Sequence, residues 1–218
     1  MVCDNCCAVP WTGILILQDQ MEKGGEEIMK SNKLAVIFPG MGYHSDKPLL
    51  YYAKKLAREH GYEIVDIKYD FQVKAREIMD DREAKDEVFY HAVREAEKQL
   101  EILDFSSYDR ILFIGKSIGT TVAAYIDKEH GINATHIVFT PVPETFNYLR
   151  EESGLVLHGT SDPWCDTEFA EEKCTELKLQ LEKVEGANHS LEVGDAFIDV
   201  ARLPGIIGAV KMYVEKLS

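Results

Sequence analysis

Gly115-Lys116-Ser117-Ile118-Gly119 places a hydroxyl between two glycines, directly after the apolar run Arg110 to Ile114 and ahead of a segment with helical spacing that ends before Gly131. A serine flanked in this way, between a strand and a helix, is held at a tight, strained turn with its Oγ exposed. The glycines let strand and helix approach without side-chain clashes. Chance supplies about 0.04 such matches in a chain of this length, before any demand on context. A hydroxyl becomes a useful nucleophile only when a neighbouring base takes its proton. His189 meets that need, because it follows the strand-like run Leu179 to Val184 in the loop Glu185-Gly186-Ala187-Asn188-His189-Ser190. The other histidines have weaker placements: His60 and His130 at helix ends, His91 on a charged helix, His136 at a strand start, His44 and His158 in or near the same loops. The imidazole in turn needs a carboxylate to fix its tautomer and favour its charged form. Asp162, just past the run Leu155-Val156-Leu157-His158-Gly159, supplies one. Asp166 is the alternative, although it is also placed to cap a helix beginning near Thr167.

Attack by Ser117 on a carbonyl would leave negative charge on oxygen, which two backbone N–H groups can stabilise. One candidate is the Ile118 amide, next after the serine at the start of its helix. The other is the Met41 amide in Pro39-Gly40-Met41-Gly42-Tyr43, whose glycines permit close backbone approach. A phosphate-binding reading of that loop fails, since neither P-loop nor dinucleotide glycine spacing is present.

These residues must be positioned by regular elements, and from Lys33 onward the chain alternates. Strands are predicted at Leu34 to Phe38, Glu63 to Tyr69, Arg110 to Ile114, Thr135 to Phe139, Leu155 to Leu157 and Leu179 to Val184. Helices are predicted at Lys47 to His60, at Asp81 to Leu103, from Gly119 to a point before Gly131, at Thr167 to Thr175 and at Pro204 to Leu217. Strands alternating with helices imply right-handed crossovers and a three-layer α/β/α sandwich with a mostly parallel sheet of about six strands. In such sheets ligands sit at the carboxyl ends of the strands, where Met41, Ser117, Asp162 and His189 all fall.

Composition narrows the class. The chain has 218 residues, 45% hydrophobic and 28% charged, as a folded domain requires. Its net charge of -14 would repel nucleic acid and anionic lipid, and no basic stripe offsets it. Five cysteines, three of them at Cys3, Cys6 and Cys7, do not form a disulfide framework and fit a reducing cytoplasm. A zinc half-site at those three lacks the four ligands that structural zinc needs. No apolar run is long enough to span a membrane.

With Gly115 to Gly119, His158-Gly159-Thr160-Ser161-Asp162 and Gly186 to His189 in this order, residues 33–218 resemble the α/β-hydrolase superfamily, specifically its small, nearly lidless members related in size to dienelactone hydrolases. The resemblance implies a reduced hydrolase fold that needs neither cofactor nor metal. It also implies acyl transfer to water, from a small-molecule ester or thioester, with Ser117 as nucleophile, His189 as base and Asp162 as orienting acid. Two departures stand out: Pro39 replaces the family's usual histidine before the oxyanion glycine, and the antiparallel strands that often open the fold are missing. Tyr43, His44 and Trp164 are expected to bind substrate, with Tyr69, Phe71, Phe146 and Tyr148 in neighbouring loops. Pro141 to Ser153 is the only segment placed to act as a lid, and its brevity predicts a shallow, open site. Lys116 is expected to be solvated. A binding protein that has lost turnover, an amidase or peptidase, and a carbon-carbon bond hydrolase are the competing classes. Oligomeric state is not legible.

Residues 1–28 share no periodicity and read as an appendage to a domain at 29–218. Gly24-Gly25-Glu26 can be encoded by a purine-rich, ribosome-binding-like string a few codons before Met29, so Met29 is the expected start. Intact mass of the protein from its native source should correspond to a chain beginning at Met29; a species beginning at Met1 would remove the idea.

Overall fold

The computed structural model describes residues 32–217, so the expectations for the appendage, Met29 and the first three cysteines lie outside the described residues. The elements are β1 (Lys33–Phe38), α1 (Pro48–Glu59), β2 (Tyr62–Asp66), α2 (Arg82–Leu100), β3 (Arg110–Lys116), α3 (Ile118–His130), β4 (Thr135–Phe139), β5 (Gly154–Gly159), α4 (Thr167–Glu176), β6 (Gln180–Val184) and α5 (Ala196–Lys216). All six strands are parallel, in the order β2-β1-β3-β4-β5-β6.

Side chains alternate across a strand, yet β1 and β3 read as unbroken apolar runs because both faces of the sheet are covered. Ala35, Ile37, Leu112 and Ile114 pack with Leu50 and Ala53 of α1 and with Val210 and Val214 of α5. Leu34, Val36, Phe38 and Phe113 pack on the opposite face with Ala92 and Ala96 of α2 and Val122 and Ile126 of α3. Val138 and Val156 pack with Ala170 and Cys174 of α4. This is a three-layer α/β/α sandwich.

The strand order reverses between β1 and β3, so their crossovers leave on opposite faces and open a crevice at the strands' carboxyl ends. Register places Phe38 beside Gly115. The loop after β1 therefore runs alongside Lys116 and Ser117.

Four expectations about the elements are revised. α5 begins at Ala196 rather than Pro204, because Asp195 caps it, accepting from the Phe197 and Ile198 amides at 3.0 Å each. Pro204 then sits inside the helix, where it leaves the Val200 carbonyl without its intrahelical donor on an exposed turn. β2 stops at Asp66 and α2 at Leu100, short of the apolar residues predicted to extend them. Pro141 to Ser153, which has no element assigned to it from the sequence, contains a 3-10 turn at Pro143–Asn147 whose Thr145 and Phe146 are buried. Among the described residues no helix is long and apolar enough to cross a membrane.

Below the sheet's amino ends, buried Asp127 of α3 accepts from His136 Nε2 at 2.9 Å, from the Ala134 amide at 2.9 Å and from Arg150 at 3.1 Å. It ties α3, β4 and the 3-10 segment together. Burial alone would raise its carboxyl, but the His136 hydrogen bond and charge, the Ala134 amide and Arg150 outweigh it and hold it below the ordinary 3.8. A depressed carboxyl stabilises the fold above the unfolded-state value and loses that contribution as pH falls through the folded one. Asp127→Ala should lower unfolding free energy by about 3 kcal/mol at neutral pH, read from urea midpoints. The gap to wild type should narrow below about pH 4.

Candidate active site

Strand β3 delivers Ser117 at a turn with φ 56° and ψ -129°, a backbone conformation that L-residues rarely hold. Only close packing keeps it there. A Cβ on Gly119 would meet the carbonyl oxygens of Phe38 and Pro39 at 2.2 and 2.4 Å, and one on Gly115 would meet Thr120 Cα at 2.8 Å. The two glycines flanking Ser117 are therefore steric requirements.

The loop carrying His189 lies against β5 for the same reason. A Cβ on Gly159 would meet the Ala187 and Asn188 carbonyl oxygens at 2.4 and 2.6 Å. Ser161 donates its amide to Ala187 at 2.9 Å, and Asn188 Oδ1 accepts from the Ser190 amide at 2.7 Å, so the two loops are stitched to each other and internally. His189 Nδ1–H donates to Asp162 Oδ2 at 2.7 Å, and Ser117 Oγ–H donates to His189 Nε2 at 2.7 Å. A carboxylate can only accept, which fixes the proton on Nδ1 and leaves Nε2 free to take one. Asp162 also accepts from the Trp164 amide at 2.9 Å. Asp166, the rival carboxylate, caps α4 through the Phe169 amide at 3.1 Å. Burial lowers the His189 imidazole below its ordinary 6.5, opposed by the Asp162 hydrogen bond and assisted by the Lys116 charge. The ring is neutral at pH 7, the state in which it can accept a proton.

Gly40 and Tyr43 exchange backbone hydrogen bonds at 3.0 and 3.1 Å, with Gly42 at φ 71°, so Met41 stands at the corner of a tight turn. Among the described residues its amide has no acceptor. Ile118, first in α3, has no intrahelical acceptor either. Both residues line a cavity of about 280 Å³ together with Ser117, His189 and Trp164.

Other expected contacts are corrected. Tyr43 does not line the cavity: it is 7% exposed and its hydroxyl accepts from the Leu49 amide at 3.2 Å, which pins the start of α1. His44 points to solvent, 68% exposed, its Nδ1 accepting from the Asp46 amide. Phe146 is buried against Phe169, and Tyr69 packs on Phe71. Trp164 does line the cavity, with its ring 5.7 Å from that of His189, and so does Tyr148. Lys116 is 3% exposed, not solvated; its Nζ lies 5.1 Å from the centre of the Tyr43 ring. Burial pushes its ammonium down to about 7, against the upward pull of Asp162.

Two features went unforeseen. Ala75, Ile78, Lys85, Asp86, Phe89 and Tyr90 wall the cavity, so the cover comes from the segment leading into α2 and from its first turns. Phe89 is in helical register with Val93, Ala96 and Leu100, one turn closer to the site, and that spacing was the available signal. The second feature is a buried hydroxyl cluster. Thr120 Oγ1 donates to the Ser117 carbonyl at 2.6 Å and lies 2.8 Å from Thr145 Oγ1, which is 2.9 Å from Thr121 Oγ1. It joins the turn of Ser117 to the cavity wall at Pro143 and Glu144, and no sequence pattern marks it.

No protein-family profile matches the chain, and no curated protein is similar in sequence. Solved structures are similar in fold. Est1E from Butyrivibrio proteoclasticus, solved with ferulic acid bound, shares 16% identity over 86% of this chain and 90% of its own, with a TM-score of 0.59. An α/β serine hydrolase without a lid from Xanthomonas campestris shares 14% identity over 84% of this chain and 81% of its own, TM-score 0.56. Esterase 2 from Thermogutta terrifontis shares 16% identity over 90% and 88%, TM-score 0.53. The chain has the α/β-hydrolase fold.

NMR titration of the His189 imidazole should give a midpoint below 6.5. In Lys116→Met that midpoint should rise, because a repelling charge is gone; an unchanged midpoint would show that Lys116 exerts no field there.

Proposed function

We propose that the protein is a serine hydrolase acting on small carboxylic esters or thioesters through an acyl-serine intermediate. The observation that carries the reading is the continuous chain Ser117 Oγ, His189, Asp162, with 2.7 Å at both links and the serine held in a strained turn. As the Ser117 oxygen attacks the carbonyl carbon, its proton passes to His189 Nε2 and the imidazolium is stabilised by the Asp162 carboxylate. The carbonyl π electrons move to oxygen, where the Met41 and Ile118 amides are the donors for the resulting charge. Collapse expels the alkoxide or thiolate, which takes the proton from His189. Water, deprotonated by the same imidazole, then attacks the acyl carbon; the bond to Ser117 Oγ breaks, the serine oxygen takes the proton back from His189, and the acid leaves. The esterases among the structural neighbours support this reading of the fold.

A fluorophosphonate probe should label Ser117, shown by peptide mapping, and labelling should vanish in Ser117→Ala. Ester hydrolysis should fall about a thousandfold or more in that variant. A folded wild-type protein that takes no label would identify a binding protein instead.

A further inference from the structure

The cavity constrains what such a hydrolase can accept, and the argument rests on the acyl-serine reading above. We infer that the substrate is an ester carrying one compact, uncharged aromatic group beside the scissile carbonyl.

Size comes first. A cavity of about 280 Å³ lies at the small end of the roughly 300–1,000 Å³ that small-molecule sites span. A benzoyl or phenylpropenoyl group fits this; a hexadecanoyl chain does not. Asp86 and Glu144 are exposed members of the lining, and their carboxylates disfavour an alkyl neighbour.

Shape comes second. Phe89 and Tyr148 have near-parallel rings, 13° apart, with centroids at 6.1 Å, and both contact Tyr125 edge-on at 5.4 and 5.2 Å. These walls are held flat by their own packing. Trp164 adds a further ring beside His189. A rigid planar group gains ring contacts beyond its buried area, and it has few torsions to freeze, whereas an alkyl chain of equal size must order several.

Charge comes third. The lining contains the cations Lys85 and Lys116, and both are engaged with rings of the protein: Lys85 Nζ lies 5.8 Å from Trp164 and Lys116 Nζ 5.1 Å from Tyr43. The carboxylates of Asp86 and Glu144 face the solvent side. An anionic substituent on the aromatic group meets repulsion from these two carboxylates, and the lysines that could offset it are drawn toward rings of the protein.

Two matched pairs test this and locate the ring: methyl cinnamate against methyl octanoate for the acyl side, benzyl acetate against octyl acetate for the alkoxy side. Acid release is followed by pH-stat, and each kcat/KM is divided by the ester's hydroxide-catalysed rate. At least one aromatic ester should exceed its aliphatic partner by about tenfold. Monomethyl terephthalate should fall about tenfold below methyl benzoate. Phe89→Leu, which keeps apolar bulk without the ring, should collapse the aromatic preference. Aliphatic esters equalling or beating both aromatic partners, or an unchanged ratio in Phe89→Leu, would overturn the inference while fluorophosphonate labelling of Ser117 left the acyl-serine reading standing. A folded protein that takes no label would overturn both.

Discussion

Two carbonyl oxygens, those of Phe38 and Pro39, come so close to α3 that residue 119 has no room for a side chain. That approach locks the turn before it, and Ser117 is held with positive φ because strand, helix and neighbouring loop leave no other path. Everything else in the site is arranged around this fixed hydroxyl. β1 and β3 pair in a register that brings the Met41 turn alongside it, and Gly159 lets the His189 loop settle on β5 at hydrogen-bonding distance. The parallel sheet is thus a jig whose carboxyl edge aligns four loops from distant parts of the chain.

How much of this is legible in sequence depends on how local the physics is. Thr135–Phe139 is a β-branched and aromatic run between polar flanks, and its predicted and observed bounds coincide. Ser117, His189 and Asp162 are candidates by position, because loops past parallel strands gather at the crevice, and the structure brings the three side chains within hydrogen-bonding distance. Asp166 could be set aside only with the helix cap visible, since a carboxylate four residues on serves either role by spacing.

What stayed hidden depends on tertiary contact. Lys116 reads as a surface charge, yet its stem runs beneath the Gly40 turn, and only the folded loop removes it from water. Pro204 reads as a helix start, but the cap at Asp195 sets the boundary earlier and an exposed turn tolerates the imide. The cover over the cavity comes from a helix whose charged composition suggests a solvated face. Its amino-terminal turns overhang the sheet because the helix begins at the strands' carboxyl end, a consequence of the parallel crossover.

The three buried threonine hydroxyls carry a consequence for turnover. They join the Ser117 backbone to the cavity wall at Pro143 and Glu144 through bonds of 2.6 to 2.9 Å. Swinging that wall aside would mean breaking buried hydroxyl bonds. For the proposed hydrolase, fit against that side would then be rigid, and any opening movement would fall to the α2 side of the cavity, which the threonines do not touch.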